Sequence, residues 1–227
     1  MFKKKNFITI DTETANSSFG GKVEPDSALV YDIGWAVHGN YGEPIVERSF
    51  IVRDVFLLMA DVMQAAYYSV KIPMYLQDIA SGKRIVEDFF TIRKIFKADC
   101  ELYNVQAIIA YNARFDYIAL NATTRYLSKS KCRHWCYGVE WWDSMKMVND
   151  TVAKQKKYKK FCKDNGYMTA HKNPRPQVKA EVVYKYITNN HNFIEKHTAL
   201  EDVQIEIDIY RFCRSKKMKM RRKLWNN

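Results

Sequence analysis

No stretch of this chain stays apolar for anything near the ~18–20 residues that a membrane helix needs, so the sequence offers no spanning segment. Cysteine is scarce as well. Cys100, Cys132, Cys136, Cys162 and Cys213 are odd in number and irregularly spaced. They read as reduced thiols in a cytosolic protein, not as a disulfide framework. Cys132-x-His134-x-Cys136 has no fourth ligand at a normal spacing, and Trp135 and Tyr137 continue an apolar run, which speaks against a zinc knuckle. A leader peptide is not expected: Met1-Phe2-Lys3-Lys4-Lys5 is followed by only a few apolar residues before Asp11. Internal repeats and long linkers are absent, so the 227 residues read as one domain. Acids are short relative to bases. Lys and Arg number 37 against 25 Asp and Glu, a net +12 with a pI near 9.4. That surplus asks for a polyanionic partner. No stretch outside the folded elements pairs a strong apolar face with a basic one, which favours nucleic acid over a membrane surface.

What is present is ordinary globular material, 47% apolar, patterned in a definite order. Phe7 to Thr14 opens as an apolar, β-branched strand, and Ala15 to Ser27 is a Ser-, Asn- and Gly-rich loop. Strands over Ala28–His38 and Pro44–Val52 complete a meander. Asp54 to Gly82 reads as a helical insert, Met-rich at first and then broken by Pro73 and Gly82. Ile85, Phe89, Ile92 and Phe96 recur at helical spacing. Gln106 to Tyr111 is a short buried strand, and Asn112 is placed to cap a helix running to about Leu127. Trp135 to Trp142 reads as a fifth strand. Asp143 or Ser144 caps a long helix ending near Gly166, and further helices cover about Lys179–Thr188 and Ala199–Cys213. The fold class is α/β: a five-stranded mixed sheet with helices on its faces, followed by a basic tail over 216–227.

Chemistry enters through acids at element ends. Asp11 and Glu13 sit two apart on a strand and so share a face. Like charges held side by side call for a cation between them, and hard oxygen ligands suit Mg²⁺ or Mn²⁺. Asp116 stands one turn into the helix that follows Asn112, where a surface acid welcomed by the helix dipole is the competing reading. Thr198-x-x-Glu201 is a capping box. It makes His197 the N′ residue and Asp202 the N4 residue, the two positions that meet in a hydrophobic staple. Here they carry an imidazole and a carboxylate, a pairing suited to proton transfer beside a metal ligand.

Together these residues resemble the DEDDh 3′–5′ exonucleases, the family of the proofreading subunit of bacterial replicative polymerase and of ribonuclease T. Asp11-Thr12-Glu13-Thr14, Ile33-Gly34, Asp116 after an Asn, and His197-Thr-Ala-Leu-Glu-Asp202 stand in the family's order over most of the chain. The resemblance implies a ribonuclease H-like fold and a two-metal site for Mg²⁺ or Mn²⁺. Asp11 would bridge both ions, Glu13 and Asp202 would complete the first site, Asp116 would serve the second, and His197 would act as general base. It implies release of nucleoside 5′-monophosphates from a 3′ end, with single-stranded DNA as the expected substrate. A DNA polymerase or replication protein is the expected partner, and the cytoplasm of a bacterial or phage-infected cell the expected setting.

For substrate contact, Thr12, Thr14 and Asn112 lie in the motifs, and Phe19 lies where the family holds the terminal nucleotide. Phe19 has two readings, stacking on a base or packing down on the protein. Lys157 and Lys160 belong to a Lys-rich helix with Tyr158 and Phe161 interleaved, either a solvated face or a strip that tracks phosphates. Two other functions remain open at this stage. One is an RNA-trimming exonuclease with the same metal site; the other is a non-catalytic nucleic-acid-binding module that keeps the fold.

Overall fold

A computed structural model describes residues 5–16, 27–64, 66 and 68–225. Phe19 and the loop around it lie outside the described residues. The sheet is mixed and has the strand order β4-β3-β2-β1-β5-β6. Its centre is β1 (Asn6–Asn16), which pairs antiparallel with β2 (Ala28–His38) and parallel with β5 (Val105–Ala110). β3 (Pro44–Val52) pairs antiparallel with β2, and β6 (Glu140–Asp143) pairs parallel with β5. The five expected strands are therefore joined by a sixth. Ile85–Glu87 forms β4, parallel to β3, so the helical spacing that counted Ile85 begins only after it.

Helices cover both faces, which is why β2 is buried along its whole length. On one side lie α4 (Phe89–Leu102) and α5 (Arg114–Ser128), packed with Ile8, Ile10, Trp35 and Trp135. Trp35 is fully buried, and its indole N–H donates to Asp99 at 3.0 Å. Its truncation to Ala would cost about 3–5 kcal/mol. The insert belongs to this same layer. It comprises α1 (Arg53–Phe56), α2 (Ala60–Gln64), a 3₁₀ turn at Ser69–Lys71 and α3 (Ile72–Ala80), and it buries Val55, Phe56, Met63 and Tyr75 in the core. Pro73 does not break it; it occupies the first turn of α3, where its missing N–H costs nothing.

The other face is covered by α6 (Ser144–Asp150), α7 (Lys156–Asp164), α8 (Ala180–Thr188) and α9 (Ala199–Ser215). The single long helix expected up to Gly166 is two, α6 and α7, separated at Thr151–Gln155. Asp143 caps α6, accepting from the backbone N–H of Met145 at 2.9 Å. The stretch from Trp135 is loop until Glu140, so the expected fifth strand is shorter than its aromatics suggested.

The basic tail packs back on the sheet. Asp143 N–H donates to Arg222 O at 2.7 Å, and Leu224 N–H donates to Trp141 O at 2.8 Å. Leu224 is buried in the core, and Arg221 and Lys223 pair with Asp150 and Glu140. The sequence shows the positive charge of this segment but not the edge of β6 that it covers.

α9 can reach the sheet only because Gly34 is a glycine. A Cβ there would lie 2.5 Å from the Leu200 backbone nitrogen and 2.7 Å from the Ala199 carbonyl carbon. This close crossing brings the start of α9 over the end of β1, and the site is built at that point.

Candidate active site

Alternation along β1 sends its residues to two layers. Ile8 and Ile10 face α4 and α5, whereas Phe7 faces the α6–α9 layer. Asp11 and Glu13 share the face of Phe7 and point toward α9. An irregularity in the β1–β2 register, between Glu13 and Thr14, follows directly; such bulges re-aim side chains next to sites. Carboxylate oxygens of Asp11, Glu13 and Asp202 lie within 4.8 Å of one another, and ligand atoms of Glu195, His197 and Asp202 do the same. The staple geometry read from the capping positions thus does bring His197 and Asp202 together.

The cap itself differs from its expected form. Thr198 is the N-cap residue of α9, but its hydroxyl donates to the Glu201 carboxylate at 2.8 Å and caps no backbone N–H. Instead Asp32, opposite Glu13 in the strand register, accepts the Ala199 N–H at 3.1 Å. Asp32 also accepts from Tyr75 Oη at 2.8 Å and Arg84 Nη1 at 3.3 Å. Arg84, itself buried, makes a fork to Glu201 at 3.1 and 3.2 Å. The insert and the start of α9 are therefore tied to β2 through one buried acid.

Asp116 comes from the opposite layer. Its helix does not begin at Asn112 as expected. Asn112 is exposed with a left-handed φ of 59°, Ala113 is the N-cap residue, and no side chain caps the helix. Asn also tolerates that conformation better than most residues, and the turn puts Asp116 in the third helical position. Asp116 is buried and accepts a hydrogen bond from Thr12 Oγ1 at 2.8 Å. The Thr12 hydroxyl, expected at the substrate, thus donates to an acid and keeps its oxygen as an acceptor. Thr14 is half-buried one residue past Glu13. Lys157 and Lys160 lie on the solvent face of α7, and Lys160 pairs with Asp164 at 2.7 Å.

Three participants escaped the sequence. Glu206, one turn after Asp202, is buried and accepts the Tyr111 N–H at 3.1 Å. Its signal was an acid at i+4 on the inward face of an apolar helix. Glu195 stands 3.9 Å from His197 Nδ1. Lys71, from the insert, donates to His197 O at 2.8 Å. No local pattern announces the last two.

The electrostatics follow from packing acids against one another. Burial pushes Asp11 far above the usual carboxylate range, and the charges of Asp116, Glu206, Glu13 and Asp202 push it further. Burial and the Asp32 charge do the same to Glu13. Burial raises Asp202 to about 8 and Asp116 to about 7, the latter opposed by the Thr12 hydrogen bond. Burial lowers His197, and the Lys71 ammonium lowers it further, so the imidazole is neutral at pH 7. Among the described residues, Asp202 Oδ1 is buried with no hydrogen-bond partner. A hard divalent cation fits this donor set: it supplies the missing partner and the missing positive charge.

The mixed sheet carries acids at the end of its central strand, at a crossing helix and at the helix after β5, and its fold is shared with solved structures of 3′-exonucleases. The chain superposes with a TM-score of 0.63 at 12% identity on a 3′-exonuclease described in 3′-end-specific recognition of the histone mRNA stem-loop, covering 97% of this chain and 86% of that one. It matches the nuclease domain of 3′hExo, a DEDDh family member bound to rAMP, with a TM-score of 0.62 at 13% identity over 98% and 99% of the two chains. The E. coli ExoI–ssDNA complex in its zinc-bound form gives 0.56 at 15% identity over 94% of this chain and 41% of that one. At such identities the likeness is one of fold. No protein-family model and no curated protein sequence matches the chain. No helix among the described residues is long and apolar enough to cross a membrane.

Proposed function

We propose that this protein is a metal-dependent 3′–5′ exonuclease that shortens RNA from its 3′ end, releasing nucleoside 5′-monophosphates. The observation that carries the reading is the meeting of carboxylate oxygens of Asp11, Glu13 and Asp202 within 4.8 Å, with a buried Asp202 oxygen that no group among the described residues satisfies. Asp11, Glu13 and Asp202 would hold one Mg²⁺ or Mn²⁺, and Asp11 with Asp116 a second. Bound there, the ions supply Lewis-acid stabilisation of the attacking and leaving oxygens. The chain's own residues do the rest. Thr12 orients Asp116 through its hydrogen bond. His197, neutral because burial and Lys71 keep it so, takes the proton of the attacking water as general base. His197 has a left-handed φ of 52°, and its ring nitrogen lies within 4.8 Å of an Asp202 carboxylate oxygen. That conformation costs a non-glycine residue about 1–2 kcal/mol.

RNA is preferred because the neighbours matched nearly end to end are the 3′-exonuclease of the histone mRNA stem-loop and 3′hExo with rAMP. The single-stranded DNA expected from the sequence becomes the second reading, favoured by the likeness to the ExoI–ssDNA complex. The net charge of +12 suits either polyanion. Thr14, Phe19, Asn112, Lys157 and Lys160 stay in the proposal as substrate contacts, Phe19 from outside the described residues. Matched 5′-labelled RNA and DNA oligonucleotides, digested with Mg²⁺ and again with EDTA, test it. An EDTA-sensitive ladder shortening from the 3′ end, faster on RNA, is expected. A faster DNA ladder selects the second reading, and an intact oligonucleotide in every lane rejects both.

A further inference from the structure

The helical insert does not end at the core that it completes. Its 3₁₀ turn extends to the loop before α9 and grips one residue there. The Lys71 ammonium donates to His197 O at 2.8 Å and to Lys196 O at 2.5 Å. It lies 4.2 Å over the centre of the Tyr68 ring. That ring is stacked on the His197 imidazole, centroids 4.9 Å apart and planes 19° from parallel. His197 itself is in the left-handed region, with φ of 52°.

Each contact removes one freedom of the imidazole. A left-handed non-glycine residue persists only where its surroundings hold it, and here one ammonium bonds two successive carbonyls. The Tyr68 face blocks rotation of the ring out of its plane. Glu195 stands 3.9 Å from Nδ1. The clamp is anchored independently of the substrate, because Tyr75 fastens the insert to Asp32, and Arg84, just after it, bonds the same acid. A base held in place before the substrate arrives gains from orientation, and a misplacement of about 1 Å can cost about 100-fold in rate.

We propose that Tyr68 and Lys71 are positioning residues for His197, so that the insert is a working part of the catalytic apparatus. The proposal rests on the reading of His197 as general base. Neither residue is assigned a place at the metal or the substrate, although the Lys71 charge is also felt by Glu13 and Asp202. The Tyr68 ring sets the imidazole plane, and the Lys71 ammonium holds the backbone turn that presents it.

The test compares full-length Tyr68→Leu, Tyr68→Phe, Lys71→Met, His197→Ala and Tyr68→Leu/His197→Ala in Mg²⁺ on a 5′-labelled oligonucleotide. Tyr68→Leu and Lys71→Met are expected to lower kcat by about 10- to 100-fold with KM nearly unchanged. Tyr68→Phe keeps the stacking face and is expected to stay near wild type. The double variant is expected to be no slower than His197→Ala alone, because both changes remove the same contribution. In NMR spectra the His197 Cε1–H resonance moves downfield in Tyr68→Leu but not in Tyr68→Phe, as shielding by the stacked ring is lost. This readout needs no activity, and Lys71→Met serves where Tyr68→Leu fails to fold. If His197→Ala kept wild-type kcat, the base reading would fall. If His197→Ala were slow while Tyr68→Leu and Lys71→Met kept full kcat, the clamp alone would fall. A raised KM at unchanged kcat in Tyr68→Leu would overturn it too, making Tyr68 a substrate contact.

Discussion

The 54–82 segment and the Lys-rich helix α7 both carry lysines near the ends of the fold's elements, and they stand in opposite relation to the site. α7 carries Lys156, Lys157, Lys159, Lys160 and Lys163, all exposed, over a buried face of Tyr158 and Cys162. The insert contributes Lys71, which lies half-buried beside the His197 backbone, and Arg84 follows it at the buried Asp32. A dense run of charge is visible in a sequence because it is solvated and needs no partner. A single cation inside a protein is inconspicuous in sequence but strongly coupled in space, since low dielectric magnifies each interaction.

The sharpest way to break this contrast is at the acids. Asp11→Ala or Asp202→Asn is expected to cut the hydrolysis rate by about 10³-fold or more, several kcal/mol of lost metal stabilisation. A 5′-labelled oligonucleotide assay at saturating Mg²⁺ measures it, and full turnover in either variant would remove the metal site from its place. Arg84→Met comes next. It leaves Asp32 buried without its cation, and urea unfolding should show about 3–5 kcal/mol of lost stability. Lys160→Met, which loses only an exposed pair with Asp164, should unfold within ~1 kcal/mol of wild type.

Gly34→Ala presses a methyl group on the α9 backbone, with an expected cost of about 1–3 kcal/mol. Because Asp202 rides on that helix, weaker Mg²⁺ activation should accompany the lost stability. The pH dependence is smaller and has a definite sign. Asp202 and Asp116 are raised to about 8 and about 7 in the folded protein from 3.8. The folded state therefore holds protons that the unfolded chain has released, and stability declines as pH climbs from about 4 through 8. In EDTA, Tm should fall between pH 5 and pH 8, and added Mg²⁺ should raise it more at pH 8, where binding displaces fewer protons. The smallest effect is expected at α7. Lys157→Gln and Lys160→Gln should leave kcat alone and flatten the salt dependence of binding by ~0.7 per lost phosphate contact. An unchanged slope would make α7 a solvated face only.

The candidate site residues were more legible than the element boundaries around them. Asp11 and Glu13 announce themselves because strand alternation is local. His197 and Asp202 do so because capping geometry is local too, even though Thr198 turned out to bond Glu201 and not a backbone N–H. The errors arose where a long-range partner decided. Ile85 fits a helical stripe, but β3 had an open edge and took it as a strand. The Trp135–Trp142 run looks like a strand, yet Trp135 packs against Phe89 and Phe96 from a loop. Asn112 has the composition of a cap and serves as a left-handed turn. The substrate class is not written in the fold, which this chain shares both with a 3′-exonuclease described with the histone mRNA stem-loop and with an exonuclease described with ssDNA.

By itself, then, the sequence determined the identity and order of the acids, the histidine beside the last of them and the mixed α/β character, all properties that periodicity and spacing carry. Only the tertiary structure decided that the tail closes the edge of β6, that Glu206 and Glu195 join the acids, and that Tyr68 and Lys71 meet His197. The reason is physical. A carbonyl accepts from whichever ammonium the fold delivers, and Lys71 and His197 stand 126 positions apart, a separation across which no local pattern extends.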